Sequence, residues 1–70
     1  MINWHISYDP LFETIKKRNI SQKELWSLAK ISGSSRQRLR ENKCVTTDII
    51  LRLCKVLDCD INEILKLVRD

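Results

Sequence analysis

Several residue types that mark other protein classes are scarce in this 70-residue chain. It has one Gly, one Pro and one His, and 6% of its residues are aromatic. So little Gly and Pro excludes a collagen-like repeat and a turn-rich β-sandwich, and a hydrophobic fraction of 43% excludes a disordered chain. No apolar run approaches the roughly 18 residues of a membrane span, and no signal-peptide pattern opens the chain. We therefore expect one small, soluble, cytoplasmic domain.

Cysteine and histidine are also too few, and wrongly spaced, for the usual sites. Cys44, Cys54 and Cys59 include no C-x-x-C pair, which excludes a zinc ribbon and argues against a disulfide framework. The one histidine, His5, cannot complete a metal cage or activate a nucleophile at any usual spacing. We expect reduced, mostly buried thiols, a surface histidine, no cofactor and no enzymatic activity.

Positive charge is concentrated in the middle of the chain. The net charge is +4, but residues 16–43 carry +7, whereas residues 1–15 carry −2 and residues 44–70 carry −1. Clustered Lys and Arg on one part of a small domain are typical of a protein that binds a polyanion. A basic but merely solvated surface would give the same count, so charge alone does not decide the function.

Helix-start signals recur along the chain with short gaps between them. The five signals are Asp9-Pro10, Ser21 with Glu24, Ser32 to Ser35, Thr46 or Thr47, and Asp60 with Glu63. Apolar residues follow most of these signals at helical spacing. The pattern predicts a compact, all-α, five-helix domain over residues 9–70.

The first eight residues have a different pattern. Apolar and polar residues alternate from Ile2 to Tyr8, which is the period of a β-strand. Since we identify no second strand in the chain, residues 1–8 form either an extended N-terminal arm packed across the helices or a strand that pairs with another copy. The packed arm is the favoured alternative.

The stretch from Ser21 to Asn42 has the layout of a helix-turn-helix. A helix over about residues 21–29 is followed by a short turn with Ile31, and then by an Arg-rich helix over about residues 33–41. In DNA-binding proteins the second helix of such a unit enters the major groove. At 100° per residue, one side of this helix presents mostly polar groups, namely Gly33, Ser34, Gln37, Arg38, Arg40 and Glu41.

Residues spread over nearly the whole chain, from Ile6 to Val68, carry a resemblance to a known family. They are I-S-Y at 6–8, S-Q-x-x-L at 21–25, I-S at 31–32, V-T-T at 45–47 and C-D-I-N-E-I at 59–64. This pattern resembles the phage repressor and Cro-like (Xre-type) helix-turn-helix transcriptional regulators, in particular a small single-domain branch. The resemblance implies a Cro/C1-repressor-like fold that binds double-stranded DNA.

The resemblance also implies residue roles. Three positions on the recognition helix face base edges: Ser34, Gln37 and Arg38. Arg38 is the best candidate for base readout because a guanidinium pairs bidentately with guanine. Five further residues are expected to meet the phosphate backbone: Gln22, Lys23, Arg36, Arg40 and Lys43.

Two positions depart from the family pattern. Lys30 stands in the turn where the family usually has Gly, and a non-Gly residue at positive φ is disfavoured by about 1 kcal/mol. Arg36 stands where the family places an aliphatic core residue, so it must extend outward or find a partner. The recognition helix should then be anchored mainly by Leu39.

The leading expectation is a repressor-type regulator that covers its operator. One recognition helix contacts few base pairs, so specificity calls for a homodimer on a two-fold operator. The alternative is a protein-interaction module on the same fold, such as an antitoxin-like partner or an adaptor. No membrane partner and no small-molecule ligand is expected.

Overall fold

The computed structural model describes residues 3–69. Along the chain it forms strand β1 (Trp4–Ser7), helix α1 (Asp9–Lys17), helix α2 (Gln22–Ala29), helix α3 (Gly33–Arg40), helix α4 (Thr47–Leu57), a 3₁₀ turn (Ile61–Glu63) and strand β2 (Lys66–Arg69). The described chain is therefore mostly helical, with four α-helices and one two-stranded antiparallel ribbon.

The predicted fifth helix is wrong. Its capping box does form, with Asp60 and Glu63 bonded to each other's backbone, but it starts only a single 3₁₀ turn. The chain then extends into β2, whose backbone groups pair with those of β1. The helical spacing of Ile61, Ile64 and Val68 was misleading, since only Ile64 among them is buried.

The prediction for residues 1–8 is also corrected. Residues 4–7 form the predicted strand, but its partner is β2 of the same chain, with Ile6 opposite Leu67 and Trp4 opposite Arg69. Neither an arm laid across the helices nor a strand paired with another copy describes it. Met1 and Ile2 lie outside the described residues.

One hydrophobic core joins the four helices. It is made of Tyr8, Leu11, Ile15, Leu25, Trp26, Ala29, Ile31, Leu39, Ile49, Ile50, Leu53, Leu57 and Ile64. Helix α4 packs against α2, and α1 packs against the 3₁₀ turn, where the Thr14 hydroxyl donates to the Glu63 carbonyl at 2.8 Å. Trp26 is buried as well, so its indole stabilises the core from within α2.

Side-chain caps begin three of the helices. Ser21, Ser32 and Thr46 accept backbone N–H groups at the starts of α2, α3 and α4. At α1 the predicted cap is wrong, since Asp9 is the first helical residue and Tyr8 occupies the cap position without a side-chain bond. The Ser7 hydroxyl instead accepts the Asp9 N–H at 3.3 Å.

The three thiols differ in exposure. Cys54 and Cys59 are half-buried, and burial raises the pKa of both, whereas Cys44 is exposed, contrary to the expectation of mostly buried thiols. Among residues 3–69 no helix has the length and apolarity needed to cross a membrane. Nor does that part of the chain bring together three side chains of His, Cys, Asp or Glu in a group able to hold a metal ion.

Candidate nucleic-acid interface

The turn between α2 and α3 is set by one left-handed residue. Lys30 has φ 55° and ψ 52°, and the N–H of Ile31 returns to the Trp26 carbonyl at 3.0 Å. This 6→1 bond is the mark of a Schellman helix end. Because Ile31 is buried next to it, the chain leaves α2 in a fixed direction toward α3.

Lys30 is the unusual member among the left-handed positions of residues 3–69. The other three are Asn19, Asn42 and Asp58, residue types that tolerate this conformation. A lysine has no such adaptation, so the predicted strain at Lys30 is present. The Arg52 guanidinium of α4 donates to the Lys30 carbonyl at 3.3 Å and helps to hold the turn.

The first turn of α3 is small and open. The Ser32 hydroxyl accepts the Ser35 N–H at 3.3 Å, and it also bonds the hydroxyls of Ser34 and Ser35. Gly33 and Ser34 add little bulk here, and both are exposed. Backbone N–H groups at a helix start favour an anion, so this end of α3 can approach a phosphate closely.

Helix α3 is held to the body of the domain by one side chain and by its two ends. Leu39 is fully buried, whereas the other residues of α3 are exposed or half-buried. The C-terminal end is fixed by Tyr8, whose hydroxyl donates to the Lys43 carbonyl at 2.7 Å and whose N–H donates to Asn42 Oδ1 at 3.0 Å. Tyr8 therefore positions α3 through the loop that follows it.

Sequence reasoning missed this positioning role of Tyr8 and Asn42. The sequence marks Tyr8 only through the strand-like alternation of residues 2–8 and the I-S-Y motif. Nothing in the linear order indicates that a residue before α1 bonds one that lies 35 positions further on. The burial of Tyr8, which is 0% exposed, raises the pKa of its phenol.

The three predicted base contacts lie on the exposed side of α3. Ser34, Gln37 and Arg38 are all exposed. The Gln37 amide donates to Glu41 Oε1 at 3.1 Å, so Gln37 must exchange this bond for a base edge if it is to read adenine. Whether these side chains contact bases stays a prediction.

The predicted phosphate contacts are divided between the two ends of the unit. Gln22 and Lys23 are exposed in the first turn of α2, and Arg40 is exposed at the end of α3. Lys43 follows in the loop, where its ammonium lies 3.6 Å from Glu41 Oε2. Glu41, for which no role was predicted, therefore binds both Gln37 and Lys43 and is an acidic group inside a basic surface.

Arg36 extends outward only in part. It is half-buried, and its Nη2 lies 3.7 Å from the point that a Cβ on Gly33 would occupy, so the guanidinium folds back along its own helix. The Nε donor is buried and has no hydrogen-bond partner among residues 3–69. A buried unpaired donor costs about 1–3 kcal/mol, so Arg36 is a site where an acceptor would be stabilising.

Helix α3 carries positive charge only. Helix α3 contains Arg36, Arg38 and Arg40 and no Asp or Glu, and its exposed side chains are all polar. Long cationic and amide side chains on one exposed helix provide the donors that base edges and phosphates accept. The geometry can therefore bind a polyanion.

Comparison with known proteins agrees with this geometry. The family described as the Cro/C1-type HTH DNA-binding domain matches residues 11–70. No curated protein matches the chain.

Among solved structures, the chain is similar to the transcriptional regulator VanUg, with a TM-score of 0.92 and 25% identity over 96% of this chain and 89% of that one. The likeness covers nearly the whole chain, and the family match contains the whole α2–α3 unit. The chain belongs to the Cro/C1-type helix-turn-helix family of DNA-binding domains found in transcriptional regulators.

Proposed function

We propose that this chain is a cytoplasmic, homodimeric, sequence-specific repressor that acts by covering its operator. The observation that carries the proposal is the exposure of α3. Only Leu39 of its eight residues is buried, while its polar side chains are offered outward from a helix fixed at both ends. Because α3 buries only one side chain in the core of the domain, its other side chains are available to contact a binding partner.

Base readout is assigned to the exposed side of α3. Arg38 donates two hydrogen bonds to guanine O6 and N7 in the major groove. Gln37 reads adenine after its amide leaves Glu41, and Ser34 contacts either a base edge or the sugar next to it. These contacts discriminate between sequences because each base pair shows a different donor and acceptor pattern in that groove.

Backbone binding is assigned to the residues around α3. Gln22 and Lys23 at the start of α2, and Arg40 and Lys43 at the end of α3, fix the unit against phosphates without reading sequence. Arg36 is half-buried with its Nε buried and unpaired, so an outward movement of the side chain would bring the guanidinium to a phosphate oxygen and remove the cost of the unsatisfied donor.

A second copy is required for useful specificity. One recognition helix reads only a few base pairs, and half-sites about one helical turn apart are read by two-fold dimers. Bound over a promoter, such a dimer excludes polymerase by occupancy alone. The degree of repression is then set by the concentration of the protein.

Selection from a random duplex pool at near-physiological salt tests this function. We expect an inverted repeat with half-sites about 10 base pairs apart to be enriched. The Arg38→Ala variant should lose the preference at one position of each half-site. Lys55→Ala, which removes an exposed positive charge of α4, is the control and should select the same repeat.

Two outcomes would contradict the proposal. Salt-sensitive binding without any enrichment would show that the basic surface binds DNA non-specifically. Absence of DNA binding would favour a protein-interaction module, and an acidic protein partner would then be sought for the same surface.

A further inference from the structure

Large hydrophobic side chains are exposed on one side of the domain. Among residues 3–69, the five that stay more than half exposed are Trp4, Leu28, Leu51, Ile61 and Leu67. All of them except Leu28 lie on one continuous surface, which consists of a face of the β1–β2 ribbon and the groove beside α4. We call this the apolar surface.

The ribbon face follows from the strand register. Directly opposed residues of an antiparallel pair share a face, so Ile6 lies beside Leu67, and Trp4 lies beside Arg69. Alternate residues of one strand also share a face, which joins Trp4 to Ile6. The Arg69 guanidinium stacks 5.9 Å from the Trp4 ring centroid, so its aliphatic stem extends the apolar face.

The groove continues this face toward α4. It has a volume of about 490 Å³ and is lined mainly by apolar residues, including Ile6 and Leu65 from the ribbon side and Leu51 and Ile61 from the other. Ile6 belongs to both the ribbon face and the groove, so the two are continuous. The lining contains few polar groups, Asp60 and Thr47 among them, and therefore little that could orient a polar ligand.

We propose that the apolar surface is the contact between two copies of this chain, related by a two-fold axis. The inference rests on the proposed function, which requires a dimer, and it names the surface that forms it. A two-fold contact uses the same patch twice, so an apolar patch meets an apolar patch.

Charge favours a second copy as the occupant. The residues that build the apolar surface, 4–8 and 45–69, carry four basic and four acidic side chains and sum to 0, whereas residues 16–43 carry +7. Two copies that meet through this neutral surface therefore bring no net like charge together. The basic α2–α3 units of both copies then remain available to one polyanion.

The required area is within reach of a chain this small. A stable interface buries about 800 Å² per partner, which is about one sixth of the 5050 Å² accessible surface of the described chain. The four most exposed side chains of the ribbon face and the groove are large and apolar.

The apolar surface also lies next to the end of α3. Tyr8 lines the groove, and its hydroxyl bonds the Lys43 carbonyl in the loop after α3. A contact at this surface therefore connects the two recognition helices through one buried side chain in each copy. The spacing of the half-sites would be fixed by that connection.

Sedimentation of the full chain over a range of concentrations tests the surface without DNA. We expect a dimer, and we expect Leu51→Glu and Leu67→Glu each to raise its dissociation constant by about tenfold or more, because a carboxylate would have to be buried. Leu28→Glu is the matched control, since Leu28 is 60% exposed but lies on α2 outside the surface. Thermal unfolding followed by circular dichroism checks that each variant is folded.

Thiol labelling locates the contact independently. Cys54 and Cys59 line the groove, whereas Cys44 is exposed elsewhere, so the Cys44→Ser variant reports only on the groove. Its alkylation by a maleimide should slow as the chain concentration rises through the dimerisation range. A rate that does not change while sedimentation shows a dimer would place the contact elsewhere and overturn the proposal.

The remaining outcomes separate this proposal from the proposed function. A chain that stays monomeric alone and on DNA, or a dimer unaffected by Leu51→Glu and Leu67→Glu, overturns the surface even if an operator is selected. Protection of the groove thiols by a different protein or an apolar small molecule, with the chain monomeric, also overturns it. A dimer lost only in those two variants supports the surface even if no DNA sequence is enriched.

Discussion

Helices α3 and α4 are neighbours in the chain with opposite relations to the core. Helix α4 has 11 residues and buries four of them, Ile49, Ile50, Leu53 and Leu57. Helix α3 has eight residues and buries only Leu39. The charges differ too, because α4 balances Arg52 against Asp48 at 2.7 Å, whereas α3 carries three arginines without an acidic residue.

The difference shows how a small domain can hold a recognition helix. Helix α4 is stabilised by packing along its length, which fixes the centre of the fold. Helix α3 is stabilised at its ends, by the Ser32 cap and by the bonds of Tyr8 to the following loop, with one buried side chain between them. Few intramolecular contacts leave its side chains free for DNA, and they also make each remaining contact important.

The largest effect should come from truncating the single anchor of α3. Leu39→Ala is expected to lower the free energy of unfolding by about 2–4 kcal/mol, similar to Leu53→Ala in α4, since both side chains are fully buried. Urea unfolding at one fixed chain concentration measures both. The two should differ in hydrogen exchange, where Leu39→Ala weakens protection chiefly in α3.

A small decrease in the free energy of unfolding for Leu39→Ala would contradict the view that α3, unlike α4, depends on one buried side chain. If the variant loses less than about 1 kcal/mol, the ends of α3 alone hold the helix, and the anchor described here is wrong. Leu53→Ala serves as the control for the method, because its position at the centre of α4 leaves no end contact to compensate.

Arg38→Ala should cost about 1–3 kcal/mol in binding to the selected DNA site and should relax the preference at one base position. Arg40→Ala on the same helix is the matched variant, and it should weaken binding to all sequences about equally and lower the salt slope. Fluorescence anisotropy titrations on the selected and a scrambled duplex measure both. Equal losses on both duplexes for Arg38→Ala would assign Arg38 to the phosphates.

Tyr8→Phe should destabilise the fold by about 1–2 kcal/mol, because the Lys43 carbonyl loses its 2.7 Å donor. Burial raises the pKa of Tyr8 in the folded state, so the unfolded chain ionises first as the pH rises. The stability that Tyr8 contributes is therefore complete below the ordinary phenol pKa of about 10 and is lost as the pH rises through the folded value.

Urea unfolding of the wild type and of Tyr8→Phe, at neutral and alkaline pH, measures the pH dependence of the stability that Tyr8 contributes. The difference between wild type and Tyr8→Phe should shrink above about pH 10, while other titrating groups cancel because the two chains share them. Tyr8 is the one tyrosine of the sequence, so its ultraviolet titration is unambiguous. A constant difference at all pH values would show that the phenol ionises equally in both states.

The sequence predicted the helix-turn-helix unit because its signals are local. Serine caps, helical spacing and the buried Leu39 are properties of residues three or four positions apart, and the structure places them as expected. The family pattern also predicted the left-handed backbone at Lys30, since a position that usually holds Gly is defined by its conformation.

The errors in the order of the elements and in the contacts of α3 involve distant residues. The last segment has helical spacing, yet it forms β2 because β1 lies beside it, and no local signal in residues 61–69 names that partner. Tyr8 and Asn42 are likewise joined only by the fold. The position of the Arg36 guanidinium, folded back beside Gly33, also could not be predicted from one sequence.

Lys30→Gly should stabilise the fold by up to about 1 kcal/mol, because glycine adopts the left-handed turn without steric cost. Lys30→Ala is the control, since it removes the same charge but keeps the strain, and it should give no gain. A melting curve measures the effect, and 1 kcal/mol corresponds to about 4–8 °C for a domain of this size. Equal gains for Gly and Ala would assign the effect to charge and remove backbone strain at Lys30 from the description of α3.

The smallest effect expected is that of Glu41→Gln, which tests the acidic group beside the reading side of α3. Glu41 repels phosphates, pairs with Lys43 at 3.6 Å and holds the Gln37 amide at 3.1 Å. Removing its charge while keeping its size should raise affinity for all DNA sequences by about 0.5 kcal/mol and steepen the salt dependence.

Glu13→Gln on α1 is the control for net charge and should have a smaller effect, since Glu13 is exposed outside the α2–α3 unit. If affinity instead falls, and falls most where the selected site has cytosine, then Glu41 accepts from a cytosine amino group and α3 reads sequence with an acid as well as with its arginine.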